Sequence, residues 1–166
     1  MKQLFFVLFI GIFSITLNAQ SGAKALPSVK IKTLEGKTVD IQDYVKKGKA
    51  VVFSFWATWC APCKKELDNI ADVYDDWQKK YDVEVIAITI DDARALPKIK
   101  PMVAQKKWKY TVLSDVNSDL KKTLNFPNVP QTFLIDKSGN IVYSHSGYAP
   151  GDEDELEKKI KKIASK

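Results

Sequence analysis

The sequence predicts an α/β domain with a central mixed sheet flanked by helices and a β-hairpin ahead of it. Three observations carry that reading. Residues 50–56 and 83–89 are short apolar runs dense in Val, Ile and Phe, too short for buried helices and suited to buried strands. Between them, Leu67, Ile70, Ala71, Val73, Tyr74 and Trp77 recur with helical period. Strand, helix and strand in that order make a right-handed parallel unit. Later, residues 131–136 and 141–145 read as two strands joined by the tight turn Asp136-Lys137-Ser138-Gly139-Asn140. At 166 residues, 45% of them hydrophobic, the chain suffices for one domain with a sizeable core and is short for two.

The elements follow in chain order. Met1-Lys2-Gln3 leads into an apolar run over residues 4–17 and then the small, polar stretch Asn18-Ala19-Gln20-Ser21-Gly22-Ala23. A charged start, an apolar middle and a small-residue end read as an export signal over residues 1–20, with the cut between 19 and 23. The run falls short of the roughly 20 apolar residues of a spanning helix and is interrupted by Gly11, Ser14 and Thr16, so cleavage is expected rather than anchoring. A leader of this kind places the mature chain, residues 21–166, in a bacterial periplasm without stable membrane insertion. Residues 29–32 and 38–41 alternate around Glu35-Gly36-Lys37 and read as the hairpin. Pro62 is tolerable only in the first turn of the helix after strand 50–56, which sets its start near Cys60. Residues 91–109 look helical but hold Pro97 and Pro101, so a broken or kinked element is expected. Residues 110–113 read as a short strand, 116–124 as a short helix, 125–128 as a loop ending in Val129-Pro130, and 152–163 as a last amphipathic helix.

The formal charge is +6, Lys2 in the leader included. The lysines are interleaved with acids and Arg94 is the sole arginine, a pattern of solvated faces that lacks the arginine forks of a nucleic-acid reader. No nucleic-acid partner is expected.

The two cysteines, Cys60 and Cys63, are three apart. So short a disulfide loop removes little entropy from the unfolded chain, so redox work is a better reason for it than stapling. At a helix start, unpaired backbone N–H groups and the helix dipole stabilise negative charge on the first thiol. Its pKa falls below the free value of about 8.5, and its thiolate attacks disulfides. Cys60 is thus the expected nucleophile, and Cys63, one turn later, the resolver of the mixed disulfide. Trp56 and Trp59 supply apolar cover. Half of a zinc site is the competing reading of a Cys-x-x-Cys pair, but no other cysteine exists and the single histidine, His145, lies on a distant predicted strand where it reads as a partly exposed residue. Neither a metal nor a cofactor is expected.

Phe55-Trp56-Ala57-Thr58-Trp59-Cys60-Ala61-Pro62-Cys63-Lys64-Lys65-Glu66-Leu67 resembles the active-site segment of the TlpA/ResA-like thioredoxins, exported relatives that reduce disulfides, notably in cytochrome c maturation. Val129-Pro130-Gln131-Thr132-Phe133-Leu134-Ile135-Asp136 is similar to that family's cis-proline loop and following strand, and Gly139 and Gly147 stand where it carries glycines. The resemblance runs from about Val29 to the C-terminus. It implies a thioredoxin fold and an exported thiol–disulfide oxidoreductase that reduces protein disulfides, takes its electrons from a membrane donor, and meets clients at Trp59, Pro62, Val129 and Pro130. It also implies that Glu66, three residues after Cys63, is the acid beside the thiols that takes the Cys63 proton; otherwise Glu66 is an exposed helix acid. One departure stands out. Thioredoxin itself keeps a buried aspartate six residues before the first cysteine, and here that position is Ser54, whose hydroxyl cannot accept a proton as a carboxylate does.

Other readings use the same residues. Peroxiredoxins place Thr or Ser three residues before the reactive cysteine with an arginine nearby; here that place is Ala57, and Arg94 is distant in sequence. A disulfide-forming oxidase would differ only in potential. A client-binding module without turnover is the non-enzymatic alternative.

Overall fold

A computed structural model describes residues 24–45 and 48–165; the leader read at residues 1–20 and its cut lie outside them. Eight strands form one mixed sheet: β1 (Lys24–Ala25), β2 (Lys30–Thr33), β3 (Thr38–Asp40), β4 (Ala50–Trp56), β5 (Val83–Thr89), β6 (Thr111–Ser114), β7 (Gln131–Ile135) and β8 (Asn140–Ser146), in the order β1-β8-β7-β4-β5-β6-β2-β3. Helices α1 (Gln42–Val45), α2 (Ala61–Tyr81), α3 (Leu96–Lys106), α4 (Asp119–Leu124) and α5 (Asp152–Ala164) connect them. β4 lies near the centre, parallel to β5 and antiparallel to β7.

Every residue of β4 is buried, as a strand covered on both faces must be. Its even positions Ala50, Val52 and Trp56 face a core completed by Leu67, Ile70 and Trp77 of α2 and by Leu156 and Ile160 of α5. Its odd positions Val51, Phe53 and Phe55 face a second core with Ile41, Leu120 and Phe133. Each such buried side chain contributes about 1.5–3 kcal/mol of apolar transfer. Ser54 and Thr132, directly opposite one another on β4 and β7, share the α2 face with Val52 and Leu134.

The N-terminal hairpin forms as read, β2 against β3, and β2 also pairs antiparallel with β6 through Lys32↔Ser114 and Thr33↔Leu113, which carries the sheet out to β3. Two elements differ from the sequence reading. α3 is one helix with Pro101 inside it. Pro97 sits in its first turn, where a missing N–H is harmless, and Pro101 is exposed and forfeits a single helical hydrogen bond. α4 starts three residues later than read, because the buried Asp115 carboxylate accepts the N–H groups of Leu120 (3.1 Å) and Lys121 (2.8 Å) and so caps the helix from a distance. The β7–β8 turn is as its residues predict: Asp136 Oδ1 accepts from Ser138 N and Asn140 N, both 2.9 Å, and Gly139 takes φ +82°, which a glycine adopts without strain.

Candidate active site

β4 delivers the chain to the first turn of α2, and the site is built at that junction. Cys60 caps α2 in extended conformation (φ −88°, ψ 98°), Pro62 occupies the first turn, and Cys60 and Cys63 are joined by a disulfide with Cα atoms 5.4 Å apart. Cys60 Sγ accepts a hydrogen bond from the Cys63 N–H at 3.3 Å. A donor fixed at that sulfur, added to the positive end of a 21-residue helix, is what a thiolate needs. Cys60 keeps 5% of its surface and Cys63 none, so Cys60 alone meets solvent.

Around Cys60 the surface is apolar. Trp59 is 69% exposed, and Ala61 and Pro62 are exposed beside it. Trp56 is instead wholly buried, edge-on to Trp108 at 5.2 Å. Of the two tryptophans read as cover, one is core and one is surface.

The loop between β4 and Cys60 is held from below by Asp91, a residue that sequence reasoning did not single out. Its buried carboxylate accepts from Thr58 N (2.8 Å), Thr58 Oγ1 (2.8 Å) and Thr89 Oγ1 (2.5 Å). Lys64 Nζ donates to the Thr58 carbonyl at 2.8 Å, closing the loop against α2. Removal of the carboxylate leaves three donors without their acceptor. Asp91→Ala is therefore expected to lower stability by about 2 kcal/mol, read as an earlier urea midpoint with unchanged slope. A midpoint equal to wild type would show that the loop does not depend on this anchor.

Glu66 lies on the buried side of α2, one turn beyond Cys63, and is 5% exposed. Thr132 Oγ1 donates to its Oε1 at 2.6 Å, while its Oε2 and the Ser54 hydroxyl have no hydrogen-bond partner among the described residues. Desolvation pushes the Glu66 carboxyl up to about 7; the Thr132 hydrogen bond, the His145 side chain and the Ser54 hydroxyl pull the other way, and Asp152 adds to the rise. Ser54, where thioredoxin has its aspartate, is thus a neighbour of the buried Glu66 carboxyl.

The Val129–Pro130 peptide bond is cis, as the resemblance implies. Pro130 is buried, its carbonyl accepts from Gly147 N at 2.9 Å, and Val129 packs against both cores, one of which contains Cys60 and Cys63. His145, distant from Cys60 in sequence, stands on β8 directly across from Thr132 and hence near Glu66. Arg94 is 92% exposed, with its guanidinium on Asp92 at 2.6 Å, and Ala57 is buried without a polar side chain.

Comparison with known proteins agrees with this architecture. The model of the AhpC/TSA family matches residues 23–144. The thiol-disulfide oxidoreductase ResA of Bacillus cereus is 34% identical over 158 residues, which cover 95% of this chain and 87% of that protein. The ResA of Bacillus thuringiensis has the same identity and coverage. Among solved structures, a thioredoxin-like protein from Porphyromonas gingivalis is 41% identical with a TM-score of 0.76, covering 87% of this chain and 95% of that one. A thiol:disulfide interchange protein of the thioredoxin family from Chlorobium tepidum superposes with a TM-score of 0.71 at 24% identity, over 88% and 99% of the two chains, and so shares the fold. With its Cys60–Cys63 pair at the head of a thioredoxin-type helix, the chain belongs to the AhpC/TSA family and, within it, to the TlpA/ResA-like thiol–disulfide oxidoreductases.

Proposed function

We propose that this protein is an exported reductase of protein disulfides, working in the periplasm, drawing electrons from a membrane donor, and including apocytochromes c among its clients. The observation that carries the reading is Cys60 at the cap of α2, the one sulfur of the pair that reaches solvent, with a backbone N–H aimed at it and a buried carboxyl one turn behind its partner. Export and the donor rest on the leader and on the family resemblance. Among the described residues no helix is long and apolar enough to cross a membrane.

In the reduced protein, the Cys60 thiolate attacks one sulfur of a client disulfide. A bond forms from Cys60 to that sulfur, and the other client sulfur leaves as a thiolate and takes up a proton. Cys63 then gives its proton to Glu66, and its thiolate attacks the Cys60 sulfur. The client's second sulfur leaves and is protonated in turn. Two electrons pass to the client, and the Cys60–Cys63 disulfide awaits the donor. Exposed Trp59 and Pro62 give the client an apolar rest. The backbone of Val129 makes no hydrogen bond to another described residue, which suits it to pair with an extended client segment.

The reading is tested by insulin reduction with dithiothreitol as electron source. The reductase turns insulin over well above the reagent alone; a client-binding module leaves the rate at that background. In the reduced protein, iodoacetamide near neutral pH is expected to label Cys60 first, because Cys63 has no exposed surface and no helix end beneath it. Equal labelling of the two thiols would reverse that assignment.

A further inference from the structure

Glu66 has a second side, facing away from the disulfide. Ser54, Thr132 and His145 are successive cross-strand partners on β4, β7 and β8, so their side chains form one polar rung on the face covered by α2 and α5. Glu66 hangs over the middle of that rung, bonded to Thr132. At its outer end His145 Nε2 lies 3.0 Å from Asp152 Oδ2, and the same oxygen accepts from Ala149 N at 2.7 Å at the start of α5. Between Glu66 and this pair is a cavity of about 10 Å³, lined on its polar side by Glu66, Thr132, Tyr143, His145, Asp152 and Glu153 and closed by the apolar Ile70 and Leu156. That is about the room one water centre occupies, among groups able to hydrogen-bond it. The His145 side chain is 36% exposed, so the rung runs from a buried carboxyl to bulk solvent.

We propose that His145, steadied by Asp152, is a positioning residue for Glu66: the outer station through which the Glu66 proton passes to and from solvent, by way of one water in this cavity. The inference rests on the reductase reading, because that reading closes the other way out. A client chain laid over Trp59, Pro62 and Val129 covers the surface at Cys60, and the proton that Glu66 took from Cys63 cannot leave there until the client departs. In this relay the neutral His145 ring donates from Nε2 to Asp152, 3.0 Å away, and accepts at Nδ1. The proton moves from Glu66 Oε2 to the water, the water's own proton moves to His145, and the imidazolium so formed faces the Asp152 carboxylate before it releases a proton to solvent. Imidazole takes up and returns protons near neutral pH as no other side chain does.

The groups facing Glu66 from each packed element are few. They are the Cys60–Cys63 pair on its own helix, Ser54 on β4, Thr132 on β7, Tyr143 and His145 on β8, Asp152 and Glu153 on α5, Tyr148 ahead of α5, and Tyr110 ahead of β6. Tyr110 donates to the Leu67 carbonyl at 2.9 Å. Asn69 donates to Tyr148 (2.6 Å) and to Glu153 (2.9 Å). His145 alone among them combines exposure with ready exchange of a proton.

The experiment compares wild type, His145→Ala, His145→Gln, Glu66→Gln and the double variant His145→Ala/Glu66→Gln, all full-length and with melting curves confirming the fold. Two substrates are used: insulin, which covers the front of the site, and a small aromatic disulfide, which does not. Both histidine variants are expected to reduce insulin about tenfold more slowly at pH 7, short of the 10²–10⁴ associated with a group in direct contact. The small disulfide should be reduced within about twofold of the wild-type rate, since its proton can leave by the front. Added imidazole should restore insulin reduction by His145→Ala, whose missing ring opens the rung to solvent. The double variant should be no slower than Glu66→Gln alone, because His145 acts through Glu66. In the pH profile, loss of the histidine should move the Glu66 inflection upward, since His145 favours the charged carboxylate. Wild-type rates with insulin in both histidine variants, absence of imidazole rescue, or additivity in the double variant would each overturn the relay while leaving the reductase reading in place. A Glu66→Gln rate equal to wild type would remove both the role of Glu66 and the exit that serves it. A wild-type protein unable to reduce insulin would sink the reductase reading itself.

Discussion

Replacement of Cys63 by serine is expected to halt exchange midway, with the client left covalently attached to Cys60. Attack on the client requires only the Cys60 thiolate, whose support comes from the helix end and remains when the resolver is lost. The second step requires a thiolate at position 63, and a hydroxyl ionises far too weakly to serve. Cys63 is wholly buried, so an outside thiol cannot take its geometric place behind Cys60. Turnover should fall to background, a loss on the order of 10³-fold or more, as when one member of a coupled catalytic set is removed. Expressed with its leader in an exporting bacterium, the variant should carry adducts that vanish with dithiothreitol on a non-reducing gel. A reductase traps cysteine-rich exported clients, apocytochromes among them, whereas an oxidase traps newly translocated chains broadly. Cys60→Ser/Cys63→Ser should trap nothing. A folded, reduced Cys63→Ser protein without adducts would favour the binding module over the enzyme.

The legible parts of this protein are those whose signal is local. An all-apolar seven-residue strand, a cysteine pair followed by a helical period, and a Val-Pro step before another apolar strand each announce themselves within a dozen residues, and together they locate Cys60, Cys63 and Pro130. The rest depends on register. That Ser54 and His145 flank Thr132 follows from the pairing of β4 with β7 and of β7 with β8, whose register shifts between Leu134 and Ile135. A one-residue slip would send His145 to the other face. Asp91 reaches Thr58 across 33 positions because parallel β4 and β5 end side by side, and Asp-Asp after a strand carries no local mark of that use. The attachment of β2 to β6 is hidden for the same reason: a pairing of only two residues leaves almost no trace in either segment. Pro101 misled through a sound rule, since proline does forfeit a helical hydrogen bond, but one exposed loss is within what an 11-residue helix tolerates.

Substitution of Glu66 by glutamine is expected to slow the enzyme and stabilise it together. The rate follows from chemistry: an amide cannot take the Cys63 proton, so resolution near pH 7 should fall by about 10²-fold, the lower end of what a positioned acid–base group contributes. The deficit should shrink as pH rises and Cys63 ionises without help, and the inflection near 7 should be missing from the variant's profile. Stability moves the opposite way. Burial raises the Glu66 carboxyl from an ordinary 4.5 to about 7 in the folded protein, so the folded state holds a proton that the unfolded state has released across that interval. Stability then falls as pH climbs from 4.5 to 7, and above 7 the buried charge costs about 3 kcal/mol. Glutamine escapes that cost: its carbonyl can still accept from Thr132, and its NH₂ meets the Ser54 hydroxyl that now lacks a partner. In the disulfide form, the variant and wild type should unfold alike at pH 4 and diverge through pH 7. At pH 8 the variant should melt higher by about 10 °C, for a domain of this size. Equal melting temperatures at pH 8 would mean that Glu66 is solvated in the folded state, and its standing as the Cys63 base would fall with that result.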